Sequence, residues 1–177
     1  DVFSILKKRV EKYYQRPQVK GKVYNLDARN IYGIKNSSVD LIITSPPYTK
    51  VIRYGQFNWI RLWFLGEDAK KIDKKLFFSQ SHQKYSDFMT DALKEMKRVL
   101  KPNTKAILVI GDVTNKETGN PYNLAGYIWK KSAKPLGFRL VRKIIDDRIR
   151  DNDKVSKIWG EKRGNATRTD RVLVLEK

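Results

Sequence analysis

Hydrophobic positions along this chain recur with two periods, and the two alternate. Tyr85, Phe88, Met89, Ala92, Met96, Val99 and Leu100 fall on one side of a helical repeat, which predicts a helix buried along that stripe. Lys101-Pro102 ends it, and "KAILVIGD" (105–112) follows as a continuous apolar run of the kind found in buried parallel strands. Upstream, Val2, Leu6, Val10 and Tyr13, widened by Phe3 and Ile5, predict a helix over 2–14 that Pro17 stops. "GKVYNLDA" (21–28) reads as a short strand. Asn36-Ser37-Ser38 is turn chemistry, and Val39 to Thr44 reads as a second strand, broken only by Asp40.

The pattern is less regular over 49–82. Phe57, Ile60, Leu62, Trp63 and Leu65 predict a short apolar helix ending at Gly66; Tyr54, Trp59 and Trp63 could stack on bases, but the helical spacing of Trp59 and Trp63 favours the core; "EDAKKIDKK" (67–75) reads as a charged loop. Asn120-Pro121 has the composition of a helix start, Asn as cap and Pro in the first turn, with Leu124, Ala125, Ile128 and Trp129 as the buried face. "GFRLVRKIID" (137–146) and "DRVLVLEK" (170–177) are the last two strands, and the polar, basic, glycine-containing 147–169 between them is a long loop. Helices alternating with strands in this order predict an α/β fold with a mostly parallel sheet; the final pair, with no helix between, predicts one antiparallel strand.

Composition narrows the partners. A chain of 177 residues, 40% hydrophobic, is sized for one domain with a real core. Its 38 Lys and Arg against 19 Asp and Glu give a net charge of +19, which points first to nucleic acid and second to an acidic membrane surface. A charged content of 32% with only 2 Met also suits the surface of a protein from a hot-growing organism. The absence of cysteine excludes disulfides, zinc–thiolate sites and cysteine nucleophiles, and agrees with a cytoplasmic, reducing setting. No apolar run has membrane-spanning length, and no signal peptide is visible at the Asp1 start.

The candidate chemistry sits where the strand 39–44 ends in Ser45-Pro46-Pro47-Tyr48. Ligands of open α/β sheets bind beyond the carboxyl ends of strands. Two prolines fix φ and remove two N–H donors, leaving a rigid row of acceptors in the Ser45 side chain and the carbonyls of Ser45 and Pro46, with the Tyr48 ring alongside. Such a row beside an aromatic face suits an aromatic amine, whose hydrogens bond the acceptors while the base stacks. A diproline turn that merely closes a core strand would carry the same residues.

This strand followed by [TS]PPY resembles the amino-methyltransferases, enzymes that use S-adenosylmethionine to methylate exocyclic nitrogens of nucleic-acid bases. The resemblance runs from about residue 21 to 176. Within that family the chain is most similar to DNA methylases that follow TSPPY with a segment like "RYGQFNWIRLWFLG" (53–66) and end much like "RGNATRTDRVLVLEK" (163–177). It implies a Rossmann-like class I methyltransferase fold with sheet order 3-2-1-4-5-7-6. It also implies catalytic roles for Ser45, Pro46, Pro47 and Tyr48, and a cofactor face made of Asp27, Thr44, Ser45 and Asp112. For Asp27 and Asp112, a simple turn after a strand is the competing reading. No metal site is implied. His82, the single histidine, reads as surface or core.

The chain departs from the family in one large respect. The glycine-rich loop that binds the methionine part of the cofactor is absent, since none of the ten glycines forms GxG. An acidic residue at the end of the second strand is missing too. If 21–28 is strand three and 39–44 strand four, strands one and two are not in this chain and the sheet is incomplete. The expectation is a complementing partner, either a second polypeptide or an upstream segment carrying the glycine-rich loop; self-association and a different strand numbering stay open.

On this reading the chain, 1–177, is the catalytic portion of a DNA methyltransferase. Ser at the first motif position favours cytosine N4 over adenine N6. Lys154, Lys157, Lys162, Arg163 and Arg168 of the long loop are candidates for phosphate contacts, equally readable as a solvated surface, and 49–82 and 147–169 are candidate substrate-contacting segments. Two alternatives stand beside it: an RNA base methyltransferase acting on transfer or ribosomal RNA, and a non-catalytic nucleic-acid-binding subunit of the same fold.

Overall fold

The computed structural model describes residues 2–14, 20–47, 53–79, 81–114, 121–142, 145–148 and 169–177. Its frame is a mixed sheet. Strand β1 (Val39–Thr44) pairs in parallel with β2 (Leu100–Gly111), with Thr44 opposite Leu108. Strand β2 pairs antiparallel with the last strand, β7 (Thr169–Glu176), from Lys105 opposite Glu176 to Gly111 opposite Asp170. Two short strands, β5 (Arg139–Leu140) and β6 (Ile145–Arg148), pair antiparallel with β7 on its other edge. Four strands therefore run one way and β7 runs against them, as the strand pattern predicts. A separate two-stranded hairpin joins β3 (Val113–Thr114) to β4 (Pro121–Tyr122).

Burial alternates along the central strands. Ala106, Leu108 and Ile110 of β2 and Leu173 and Leu175 of β7 are buried. Residues opposite one another in an antiparallel pair share a face, so these side chains form one continuous surface. It is covered by α5 (His82–Val99), through Tyr85, Met89, Ala92, Leu93 and Met96, and by α6 (Leu124–Ile128), through Leu124, Ala125 and Ile128. Helix α5 starts at Ser81, whose side chain accepts from the Lys84 N–H, and stops as Leu100 turns extended before Pro102. A π-helical turn, Trp129–Ala133, continues α6 and is joined to α5 by the buried Ser86 and Ser132 hydroxyls, 3.3 Å apart. On the other face Ile107, Val109, Val172 and Val174 are partly covered, and Ile43 is 68% exposed.

Helix α1 (Val2–Tyr14) forms where the periodicity places it, but its apolar stripe of Phe3, Ile5, Leu6 and Val10 is exposed. The Pro17 stop lies outside the described residues.

Six expectations need correction. Residues 21–28 carry no strand: Val23 is 95% exposed, and the segment ends in a turn closed by the Asn30 N–H on the Asp27 carbonyl. A strand takes its backbone bonds from a neighbour, and among the described residues none lies alongside. The apolar helix expected before Gly66 is two short ones, α2 (Tyr54–Phe57) and α3 (Trp59–Phe64), broken at Asn58. Trp59 and Trp63 are more than half exposed rather than core. The expected charged loop contains helix α4 (Ala69–Lys75), because Asp68 caps it by accepting from the Lys70 and Lys71 N–H groups. Pro121 lies in β4, and Asn123, which accepts from the Gly126 N–H, is the residue that starts α6. The strand expected over 137–146 is the separate pair β5 and β6.

Candidate functional site

Strand β1 delivers Ser45-Pro46-Pro47 to the carboxyl edge of the sheet. Thr44 is half-buried and shares a face with Leu108; then Ser45 is exposed, Pro46 buried and Pro47 half-buried. The alternation of the strand thus continues through the first proline and anchors it, while Ser45 is turned to solvent. Tyr48 lies outside the described residues. Beside this turn, β2 ends at Gly111, with Asp112 just past it.

Asp112 is 4% exposed, and its two carboxylate oxygens accept from Nε and Nη2 of Arg171, both at 2.8 Å. Arg171 stands opposite Ile110 on β7, in the same row as Leu173 and Leu175. The closed face of the sheet therefore ends, at its carboxyl edge, in a bidentate ion pair, the strong form of a charge-assisted bond. Sequence reading proposed Asp112 and overlooked Arg171. The signal was an arginine inside the apolar run "RVLVL".

Asp27 has a different setting. It is exposed and receives three bonds from Arg29: from its N–H at 2.8 Å, Nε at 3.0 Å and Nη2 at 2.7 Å. Those side-chain and backbone bonds hold its carboxyl below the ordinary range. The Arg29 guanidinium in turn lies 5.4 Å over the Phe88 ring of α5, so Asp27 is tied to the helical layer and not to a strand end. Downstream, Glu95 of α5 accepts from the Ile31 N–H and pairs with Arg98, which also donates to the carbonyls of Ile31 and Ile34. The bonds from Arg98 and Ile31 hold Glu95 below its usual range as well.

His82 opens α5 and stacks on Tyr122 at 4.5 Å, a packing role. Lys154, Lys157, Lys162, Arg163 and Arg168 lie outside the described residues. Among the described residues no group of His, Cys, Asp or Glu is arranged to hold a metal ion, and no helix is long and apolar enough to cross a membrane.

Between α2 and α4 the chain forms a cleft that sequence reading did not resolve. Asp73 of α4 accepts from the Gly55 N–H at 2.7 Å and the Gln56 N–H at 3.2 Å. A Cβ on Gly55 would stand 2.2 Å from the Ala69 carbonyl oxygen, so this close approach requires glycine.

The sequence pattern of the DNA methylase family matches residues 39–173, a span that includes β1, its diproline end, the cleft, β2 and most of β7. No curated protein sequence matches the chain. Among solved structures, the cytosine-N4-specific PvuII DNA methyltransferase is similar with a TM-score of 0.57 and 15% identity, over 90% of this chain and 50% of that one. A protein of Thermus thermophilus described as a candidate DNA modification methylase, solved with S-adenosyl-L-methionine, gives a TM-score of 0.52 and 22% identity over 85% of this chain and 53% of that one. At these identities the likeness is one of fold. The chain spans about half the length of these solved structures.

Proposed function

This chain belongs to the DNA methylase family, and on that premise we propose that it is the catalytic portion of an enzyme that methylates an exocyclic base amine in DNA, with cytosine N4 favoured. The observation that carries the reading is the Ser45-Pro46-Pro47 turn at the carboxyl end of β1, with Ser45 exposed and Pro46 anchored.

An aromatic amine is a poor nucleophile because its lone pair is delocalised into the ring. Bonds from its N–H groups to the Ser45 side chain and the Pro46 carbonyl draw the nitrogen toward tetrahedral geometry and localise that pair. The prolines keep the acceptors fixed, so the contribution is positioning and electrostatics. Tyr48 stacks on the base once it has left the duplex. The preference for cytosine rests on Ser45 as the first motif residue.

S-adenosylmethionine supplies the activated methyl group when bound. Thr44 and Ser45 adjoin the place such a group would reach. Asp27 and Asp112, the two carboxylates expected to face it, are engaged by Arg29 and Arg171. The described residues thus fit the amine side of the reaction better than the ribose and methionine side. A complementing segment with the glycine-rich loop, on this polypeptide or another, provides those contacts in our reading. The observed strand order supports this, since β1-β2-β7-β5 corresponds to the 4-5-7-6 part of the order the resemblance implies, an incomplete Rossmann-like sheet.

The test is methyl transfer from radiolabelled S-adenosylmethionine to duplex DNA, to transfer RNA and to ribosomal RNA. Incorporation is expected in DNA, at cytosine N4, and to fall about 100-fold or more in Ser45→Ala and in Tyr48→Ala. Incorporation confined to RNA favours the RNA enzyme. Salt-sensitive DNA binding without incorporation, even with a glycine-loop partner, favours a binding subunit. Tight one-to-one cofactor binding by this chain alone in calorimetry overturns the complementing segment.

A further inference from the structure

The cleft between α2 and α4 has a volume of about 380 Å³, within the range of small-ligand sites. Three cations, Arg53, Lys70 and Lys74, and three aromatic rings, Tyr54, Phe77 and Phe78, line it. Its acidic wall residue, Asp73, accepts from the Gly55 and Gln56 N–H groups, and the three cations outnumber it, so the net charge of the lining is positive. The arrangement is held in place. Gly55 lets the two helices meet backbone to backbone, and Phe77 stacks on Phe88 of α5 at 4.1 Å and 12°, which fixes the aromatic wall to the core. Phe78 lies at the mouth, 41% exposed, with the Arg53 guanidinium 5.7 Å from its ring.

Cations beside exposed rings match the two parts of a nucleotide: ammonium and guanidinium groups take the phosphate, and an aromatic face takes an unstacked base. Arg53 follows Pro47 by six residues, so the cleft lies within about 20 Å of the diproline turn, the reach of an extended chain of that length. That distance spans about six phosphates of one DNA strand.

We propose that the α2–α4 cleft binds a nucleotide of the DNA strand near the target base, with Lys70 and Lys74 on its phosphate and Phe78 against its base. The proposal rests on the DNA methylase reading. It assigns to this cleft a grip on the substrate separate from the amine-binding turn.

Binding of the protein to fluorescein-labelled duplex DNA, with and without a single unpaired base, is measured by anisotropy between about 50 and 200 mM salt. Lys70→Gln/Lys74→Gln is expected to flatten the slope of log affinity against log salt by about 0.9, the worth of the one phosphate they share. Lys130→Gln/Lys131→Gln, two lysines on the π-helical turn and not part of the cleft's lining, is expected to leave the slope unchanged. Phe78→Ala is expected to lose about tenfold in affinity for the duplex with the unpaired base and little for the perfect duplex. An unchanged slope in the Lys70/Lys74 variant, an equal change in the Lys130/Lys131 control, or binding confined to RNA overturns the proposal. Methyl incorporation is followed on the same samples. If it is absent even with a glycine-loop partner added while the slope still flattens, the methylase reading fails and the cleft stands; if it is present while the slope is unmoved, the cleft fails alone.

Discussion

On one side of the sheet Ala106, Leu108, Ile110, Leu173 and Leu175 are all buried under α5 and α6, while on the other Ile43 is 68% exposed and Ile107, Val109, Val172 and Val174 are only partly covered. The residue types on the two sides hardly differ. Both are aliphatic, and this is why β2 reads as a continuous apolar run and not an alternating one. Strands with that composition belong to sheets covered on both faces. The second side therefore has the composition of a surface fitted for a covering layer, and so does the exposed stripe of α1, with Phe3 at 80% and Val10 at 59%. The comparison teaches that burial in this fold is set by which helices are at hand and not by the strands.

The largest expected effect is at the end of the closed side. Asp112→Ala leaves the Arg171 guanidinium without its bidentate partner in a largely buried position, and about 4 kcal/mol of stability should be lost. Denaturant midpoints measure this, and Asp112→Ala combined with Arg171→Met should recover most of it. If the double variant is no better than the single, the pair is not the unit described.

Next comes the contrast itself. Leu108→Ala on the closed side should cost about 3 kcal/mol, and Ile43→Ala on the open side less than about 1 kcal/mol. Equal costs by the same denaturation would mean that the open side is covered in solution, and the difference between faces would vanish.

The smallest effect concerns the polar clasp at the foot of α5. Glu95 has its carboxyl lowered in the folded protein by Arg98 and the Ile31 N–H. A carboxylate lowered on folding stabilises above its unfolded value, near 4.5, and loses that contribution as pH falls through the lower folded value. At about pH 7 Glu95→Gln should melt about 2 °C below the parent, and the gap should narrow as pH falls below about 4.5. A gap that is constant with pH would assign the effect to packing.

Helix α5 and strand β2 were legible because their periods run long enough to exclude other readings, although Leu93 was overlooked in the buried stripe. The antiparallel run of β7 was legible from the missing helix before it. Residues 54–75 were not, for two separate reasons. Trp59 and Trp63 have core spacing but, among the described residues, no layer on top of them. In 67–75 the charges hid a helix whose start is written only in the Asp68 cap. At the candidate site, the position of Ser45-Pro46-Pro47 at a strand end could be read directly from local residues. The Asp112–Arg171 pair spans 59 positions, and the Gly55–Asp73 bond 18, and contacts at such separations leave no local pattern.

One consequence of the diproline follows from hydrogen-bond arithmetic. The outer edge of β1 is free among the described residues, and a free edge is a template for a further strand. A newcomer zippering along that edge finds no N–H donor at Pro46 or Pro47. Its ladder must stop there. Whatever pairs with that edge is thus held to the strand itself, and the turn acts as a built-in doorstop that keeps a further ladder from running past the prolines.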